Sequence, residues 1–369
     1  MNPSFTFYRA RKLRTSSPGT LLAAVVAIAL VVIFLAYRTR GAHFRWALFW
    51  NTLNQADWIW LAISICLILL SNVGRALRWQ VMLRPLGRSL SVPKLTSDTA
   101  IGLTAVVLLG RVGEVVRPYL IALQTGVPLS SQAAAWLLER TLDLLVVLLL
   151  FGFALLWVPL HSRQFDPEIH TVLGTGGFVF GATGVLCLLL LLAFRDPQRH
   201  AQQRILSALT FLPAEHYARA ERILEAFSRG VDCTRDPRLL TLLLGYTGLE
   251  WGIIVLSCSA LLRGFPVTRQ LGGMDALVLL GFISLGSVVQ IPGLGGGMQV
   301  ATVVALTRIY RIPLEAAASV AVVFWVVSSL AIVPFGCACA FHEGLNWSKL
   351  KLLSAKQILE GSRGKETEK

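Results

Sequence analysis

Residues 96–125 read TSDTAIGLTAVVLLGRVGEVVRPYLIALQT, and the fold turns on how this stretch meets a membrane. It is apolar at both ends. Its middle carries Gly110, Arg111, Gly113, Glu114 and Arg117. A spanning helix needs about 20 apolar residues, so thirty residues do not readily supply two spans. A single helix would carry those charges through lipid at roughly 2.5–3.5 kcal/mol each near the bilayer centre. The economical solution is a re-entrant hairpin: a half-helix in, a glycine turn, a half-helix out. Irregular backbone survives at such depth only where protein or water covers it. A second stretch, residues 275–310, has the same character, DALVLLGFISLGSVVQIPGLGGGMQVATVVALTRIY, with proline and four glycines at its break.

The rest of the chain is membrane-like. Of 369 residues, 55% are hydrophobic and only 15% charged, against about 25% charged in soluble proteins. Apolar runs near 20–37, 58–74, 130–158, 174–194, 239–262 and 313–341 predict six full spans. The expected fold is all-α: a polytopic membrane protein of six spans plus two opposed hairpins. A basic arm (1–19) precedes the membrane domain (20–345), which includes a cytoplasmic amphipathic loop (195–238). A basic tail (346–369) follows. The first span reads as an uncleaved anchor, because its apolar core is long and no A-x-A-like cleavage site follows.

The net charge of +14 has to be located before it is interpreted. With the N-terminus in the cytoplasm, the four inner segments hold 23 Lys and Arg and the outer ones 8. That asymmetry gives an inner-membrane protein with both termini cytoplasmic. It reads the basic charge as orientation and headgroup attraction rather than nucleic-acid binding. In this topology the first hairpin enters from the cytoplasm and the second from outside. A shift of 185 residues pairs Gly110 with Gly295, Val115 with Val300, Pro128 with Pro313, Leu129 with Leu314 and Ala133 with Ala318. An inverted repeat with broken helices at its interface is an architecture of secondary transporters.

Several polar residues stand out in apolar surroundings. Glu114 and Arg117 are i, i+3 neighbours and can pair; with Arg111 and Gly113 they sit at a half-helix N-terminus suited to an anion. Glu139 and Asp143 share one helix face. Arg140 lies on another, which leaves at most one easy pair among the three. Arg75 and Arg78 are available partners, and Trp79 reads as an interfacial anchor. In the second turn Pro292, Gly293, Gly295 and Gly296 let backbone amides approach a ligand, and Gln299 aligns with Glu114. Glu250, a lone carboxylate mid-span, is a candidate for proton coupling. Asp98 and Asp275 read as helix N-caps. For each of these a structural role stands beside the functional one. There is no H-E-x-x-H, C-x-x-C or P-loop, so no metal or cofactor is expected.

The ordered set Asn72-Val73-Gly74-Arg75-Ala76-Leu77-Arg78-Trp79, Gly110-Arg111-Val112-Gly113-Glu114-Val115-Val116-Arg117, Glu139-Arg140-Thr141-Leu142-Asp143 and Pro292-Gly293-Leu294-Gly295 resembles the lysylphosphatidylglycerol synthase transmembrane domain, also called flippase-like. The resemblance covers roughly 20–345 and implies a membrane domain that moves lipids between leaflets. Name-giving members flip an aminoacylated phospholipid made by a cytoplasmic transferase domain. Two departures matter. Gln299 stands where the family often has Glu, and the chain ends soon after the last span, so lysyl transfer is not claimed. The expected function is therefore a non-enzymatic flippase or transporter for a polar or anionic-headgroup lipid. The alternatives are a membrane glycosyl- or aminoacyl-transferase, and a non-catalytic partner of a separate lipid synthase. Expected partners are membrane lipids, with such a synthase or a homo-oligomer left open.

Overall fold

The structure is a computed structural model that describes residues 44–86, 90–127, 129–161, 167–194, 205–209, 236–291 and 295–344, with single positions 213, 217, 221 and 293. The chain divides at Ala47/Leu48, and the unit from Leu48 onward contains the long helices and both broken stretches. The short helix α1 (Trp46–Asn54) leads into it.

Two long helices run antiparallel. α2 (Trp58–Leu83) is capped by Asp57, whose carboxylate accepts the Ile59 N–H at 3.0 Å. α7 (Pro237–Arg263) is capped by Asp236 and has proline at its first position, where no N–H is missed. The Asp57 N–H donates to the Gly264 carbonyl, and Ser64 and Ser257 each donate a hydroxyl to the other's main-chain oxygen, at 2.8 and 2.9 Å. These bonds satisfy polar groups that lipid would leave unpaired. A second pair is α5 (Leu129–His161) with α6 (Pro167–Phe194). There a Cβ on Gly152 would fall 2.6 Å from the Gly181 nitrogen, so small residues bring the two backbones together.

Residues 92–125 reverse on themselves. α3 (Val92–Leu109) ends at Gly110, whose φ of 67° an L side chain rarely adopts. A 3-10 stretch (Gly110–Val115) then leads into α4 (Val116–Thr125). A Cβ on Gly113 would overlap the Ala105 carbonyl, and one on Gly102 would lie 2.7 Å from the Arg117 Cβ. Further along, Gln124 donates to Asp98 at 2.9 Å. The partners 105–113, 102–117 and 98–124 diverge in sequence as a hairpin requires. Its arms are about 27 and 15 Å long at about 1.5 Å per residue, against about 30 Å for a hydrocarbon core.

The second stretch does the same. α8 (Gly273–Gly286) leads to a two-residue ladder, β1 (Gln290–Ile291) against β2 (Gly295–Gly296), and then to α9 (Gly297–Arg308). A Cβ on Gly286 would overlap the Gly297 oxygen and lie 2.6 Å from the Ala301 Cβ. The two hairpin tips touch: the Gly293 N–H donates to the Val107 carbonyl at 2.9 Å.

The chain closes with α10 (Leu314–Trp325), a π turn (Val326–Leu330) and α11 (Ile332–His342). α11 packs on the first hairpin's first arm, α3, where a Cβ on Gly336 would meet the Thr104 hydroxyl and the Ala100 carbonyl. In the same way α5 packs on the second hairpin's first arm, α8, where Phe151 fills the space beside Gly281. Gly336 and Phe151 are 185 positions apart, the offset that aligns the two halves in sequence.

Six segments of the described residues are long and apolar enough to cross a membrane, and the chain is an all-α polytopic membrane protein. Five of them coincide with expected spans. The sixth is 92–125, which has the length and composition of one crossing although its chain folds back. The expected span at 20–37, the basic arm, the tail and most of the loop 195–238 lie outside the described residues.

Candidate functional site

Where α2, α4, α5 and α7 meet, their polar side chains form one buried cluster. Arg78, on α2, is fully buried. Its Nη1 donates to Asp143 Oδ1 at 2.7 Å and to Glu250 Oε2 at 2.9 Å, and its Nη2 donates to the Glu139 carbonyl at 3.4 Å. One turn earlier, Arg75 Nε donates to Glu250 Oε1 at 2.7 Å. Glu139, also fully buried, accepts through Oε2 from Trp79 Nε1 at 2.7 Å and from Arg117 Nη2. The Arg117 guanidinium lies over the Trp79 ring, 4.8 Å from its centroid, a cation–π arrangement. Arg140 Nη2 stands 3.5 Å from Glu139 Oε1 and 3.3 Å from Asp143 Oδ2. Trp251 Nε1 donates to Asp143 at 3.4 Å.

The helices dictate this convergence. Arg75 and Arg78 are three residues apart, and Glu139 and Asp143 four apart, so each pair projects from one face. Gly74 lets the α7 backbone approach closely enough to bring Glu250 over, since a Cβ there would be 3.2 Å from the Glu250 Cβ. Gly102 does the same for Arg117 from inside the hairpin.

Charge balance gives the cluster its chemistry. Arg75, Arg78, Arg117 and Arg140 pair with Glu139, Asp143 and Glu250, and the half-buried Glu114 adds its charge near Arg140. Three buried guanidinium nitrogens, Arg78 Nε, Arg117 Nη1 and Arg140 Nε, and one buried acceptor, Glu139 Oε1, have no hydrogen-bond partner. Unpaired donors in a low-dielectric site favour an added anion. Among the described residues no His, Cys, Asp and Glu group could hold a metal.

The expected site residues separate into two places. Arg75, Arg78, Arg117, Glu139, Arg140, Asp143 and Glu250 come together in the cluster. Arg111, Gly293, Gly295, Gly296 and Gln299 belong to the hairpin tips. Arg111 donates from Nε and Nη2 to the Val288 carbonyl, at 3.2 and 2.9 Å, and so bridges the tips. Gln299 Oε1 accepts the Gly296 N–H at 2.6 Å and thereby caps its own helix. Pro292 lies outside the described residues.

Several expectations are corrected. Arg117 turns to Glu139, not Glu114, because Glu139 is buried beside it while Glu114 is only half-buried. Arg140 reaches both Glu139 and Asp143, because its side chain is long enough for one guanidinium nitrogen to lie between the two carboxylates. Trp79 is fully buried and bonded to Glu139, so it is no interfacial anchor. Gly113 packs against α3 inside the hairpin, where its backbone is not open to a ligand. Glu250 is not alone: two arginines hold its two oxygens. Asp275 does cap α8, accepting the Gly272 N–H at 2.8 Å. Asp98 is not a cap, since Ser91 holds that position. Sequence reading missed Trp251 and Gln132. The fully buried Gln132 shares the Glu139 face one heptad earlier, and that spacing was the available signal.

A family model described as lysylphosphatidylglycerol synthase TM region matches residues 20–336. The chain belongs to that family. The match takes in both hairpins and every residue of the cluster, and it makes this a membrane protein of lipid handling. Comparisons with curated proteins and with solved structures returned no match.

Proposed function

We propose that this member of the lysylphosphatidylglycerol synthase TM family moves a lipid with an anionic or otherwise polar headgroup between leaflets, and does so without enzymatic chemistry. The observation that carries the reading is the arginine cluster: four guanidiniums from three helices, three of whose buried donor nitrogens lack a hydrogen-bond partner. A phosphate fits such donors bidentately. The acyl chains stay in lipid while the headgroup passes the cluster. The two hairpins dip into the bilayer from opposite faces and meet at their tips. They belong to two halves related as an inverted repeat, and rocking one half against the other gives alternating access. The excess of Lys and Arg in the assigned inner segments supports an inner-membrane reading with both termini cytoplasmic.

The test is lipid exposure in proteoliposomes that carry a headgroup-phosphate lipid with a fluorescent short chain, quenched from outside. The wild type should expose inner-leaflet probe faster than protein-free vesicles. Arg117→Ala, which removes one charge-assisted contact, should slow exposure by about 10- to 100-fold. Exposure equal to protein-free vesicles would defeat the transport reading. Covalently modified lipid formed by the purified chain from an activated sugar or aminoacyl donor would replace it with the transferase.

A further inference from the structure

Asp98 is fully buried in the interior of α3, in a seam between the hairpin's returning arm and α11. Its Oδ1 accepts Gln124 Nε2 at 2.9 Å, while its Oδ2 is buried with no partner. The charged groups that face it are Lys94 and Glu343. Lys94 is already engaged, its Nζ 2.7 Å from Glu343 Oε1, and Ser97 donates to the same oxygen at 2.6 Å. Tyr119 on α4 and Cys337 and Cys339 on α11 are neutral side chains that supply no cation. Arg75 and Arg78 on α2 and Arg117 on α4 are committed to the cluster, and His342 on α11 is exposed. An ionised Asp98 would therefore be buried with no cation bonded to it while Lys94 is held by Glu343, and an unpaired buried charge is costly. A neutral Asp98 fits: Oδ1 accepts the amide and Oδ2 carries the proton.

Lys94 precedes Asp98 by one helical turn on the same face, within reach of its carboxyl. We propose that Asp98 is a proton-binding site that controls the clasp between α3 and α11. With the proton on Oδ2, Lys94 holds Glu343 and the two elements are tied. When the proton leaves for water, the Lys94 ammonium moves from Glu343 to the Asp98 carboxylate, Glu343 keeps only the Ser97 hydroxyl, and α11 loosens from the hairpin. Charge is conserved within the triad apart from the released proton. The site differs from Glu250, whose oxygens are both taken by arginines. The coupling of this proton to lipid movement rests on the transport reading; the proton site itself does not.

Two measurements on the full-length chain test this. In nanodiscs, infrared difference spectra recorded as pH is raised should show loss of one buried carboxylic acid carbonyl band. That band should be missing in Asp98→Asn and moved in midpoint, but present, in Gln124→Leu, which also covers a failure of Asp98→Asn to fold. In proteoliposomes an imposed pH gradient should bias probe-lipid distribution several-fold for the wild type and leave Asp98→Asn unbiased. Absence of any band that depends on Asp98 overturns the proton site. A gradient response in Asp98→Asn equal to wild type overturns the coupling. An Asp98 band in a wild type that moves no lipid upholds the proton site and defeats the transport reading instead.

Discussion

Arg78→Met removes the guanidinium on which the cluster is built while keeping most of the side-chain volume. The structure sets the size of the effect. Arg78 bridges Asp143 and Glu250 and lies beside Glu139, and Arg78, Glu139 and Glu250 are buried. Without it, Arg75, Arg117 and Arg140 still face three carboxylates, but the Glu250 oxygen that Arg78 held has no donor. Asp143 keeps only Arg140 at 3.3 Å and the Trp251 N–H at 3.4 Å. Breaking a buried pair by deleting one partner costs about 3–5 kcal/mol. For a chain of this size that corresponds to a melting temperature lower by about 4–6 °C. The assay is thermal unfolding of the purified protein in nanodiscs, monitored by tryptophan fluorescence. Arg78→Met with Glu250→Gln removes one charge of each sign and should recover more than half of the loss. The coupling energy from the four-way cycle should be about 1–3 kcal/mol. A single variant as stable as the wild type, or a double variant whose loss is the sum of the two singles, would refute the idea that these charges stabilise each other.

Three further outcomes come from the packing. Gly281→Ala drives a Cβ into the Phe151 ring, so it should lower the melting temperature markedly, and adding Phe151→Leu should restore much of it in the same unfolding assay. Trp79→Phe keeps a ring under Arg117 but deletes the N–H that Glu139 accepts; it should cost about 1–3 kcal/mol by thermal or denaturant unfolding. In a cysteine-free background, Val107→Cys with Gly293→Cys should crosslink under mild oxidation, visible as a gel-mobility shift, because the backbone bond between these positions brings them within disulfide range. Failure of that pair, alongside a crosslink between positions the structure holds apart, would count against the touching tips.

Composition and periodicity made much of this molecule legible. The apolar runs predicted five of the membrane helices found here, because a bilayer core tolerates only long apolar stretches with internally bonded backbone. The glycine breaks at Gly110 and around Gly293–Gly297 marked both hairpins, because glycine is what permits the positive φ and the close return of the chain. Arg75, Arg78, Arg117, Glu139, Asp143 and Glu250 were visible because charge in such surroundings is conspicuous.

Partnership was not legible. Helical spacing tells which residues share a face, but not which face meets which. Glu114 looked like the partner of Arg117 because the two are near in sequence, yet Glu139 is the one α5 brings to it. Glu250 looked solitary because its partners lie more than 170 residues away. Asp98 looked like a cap because it stands near a helix start, and only the packing of α4 and α11 around α3 shows its carboxyl buried with one oxygen unmatched. The amino-acid order by itself determined which stretches are apolar enough to span lipid and where the chain bends, since those are local costs of solvation and backbone. Which charges neutralise each other was decided by the tertiary structure alone, since electrostatic pairing depends on distances that only packed helices define.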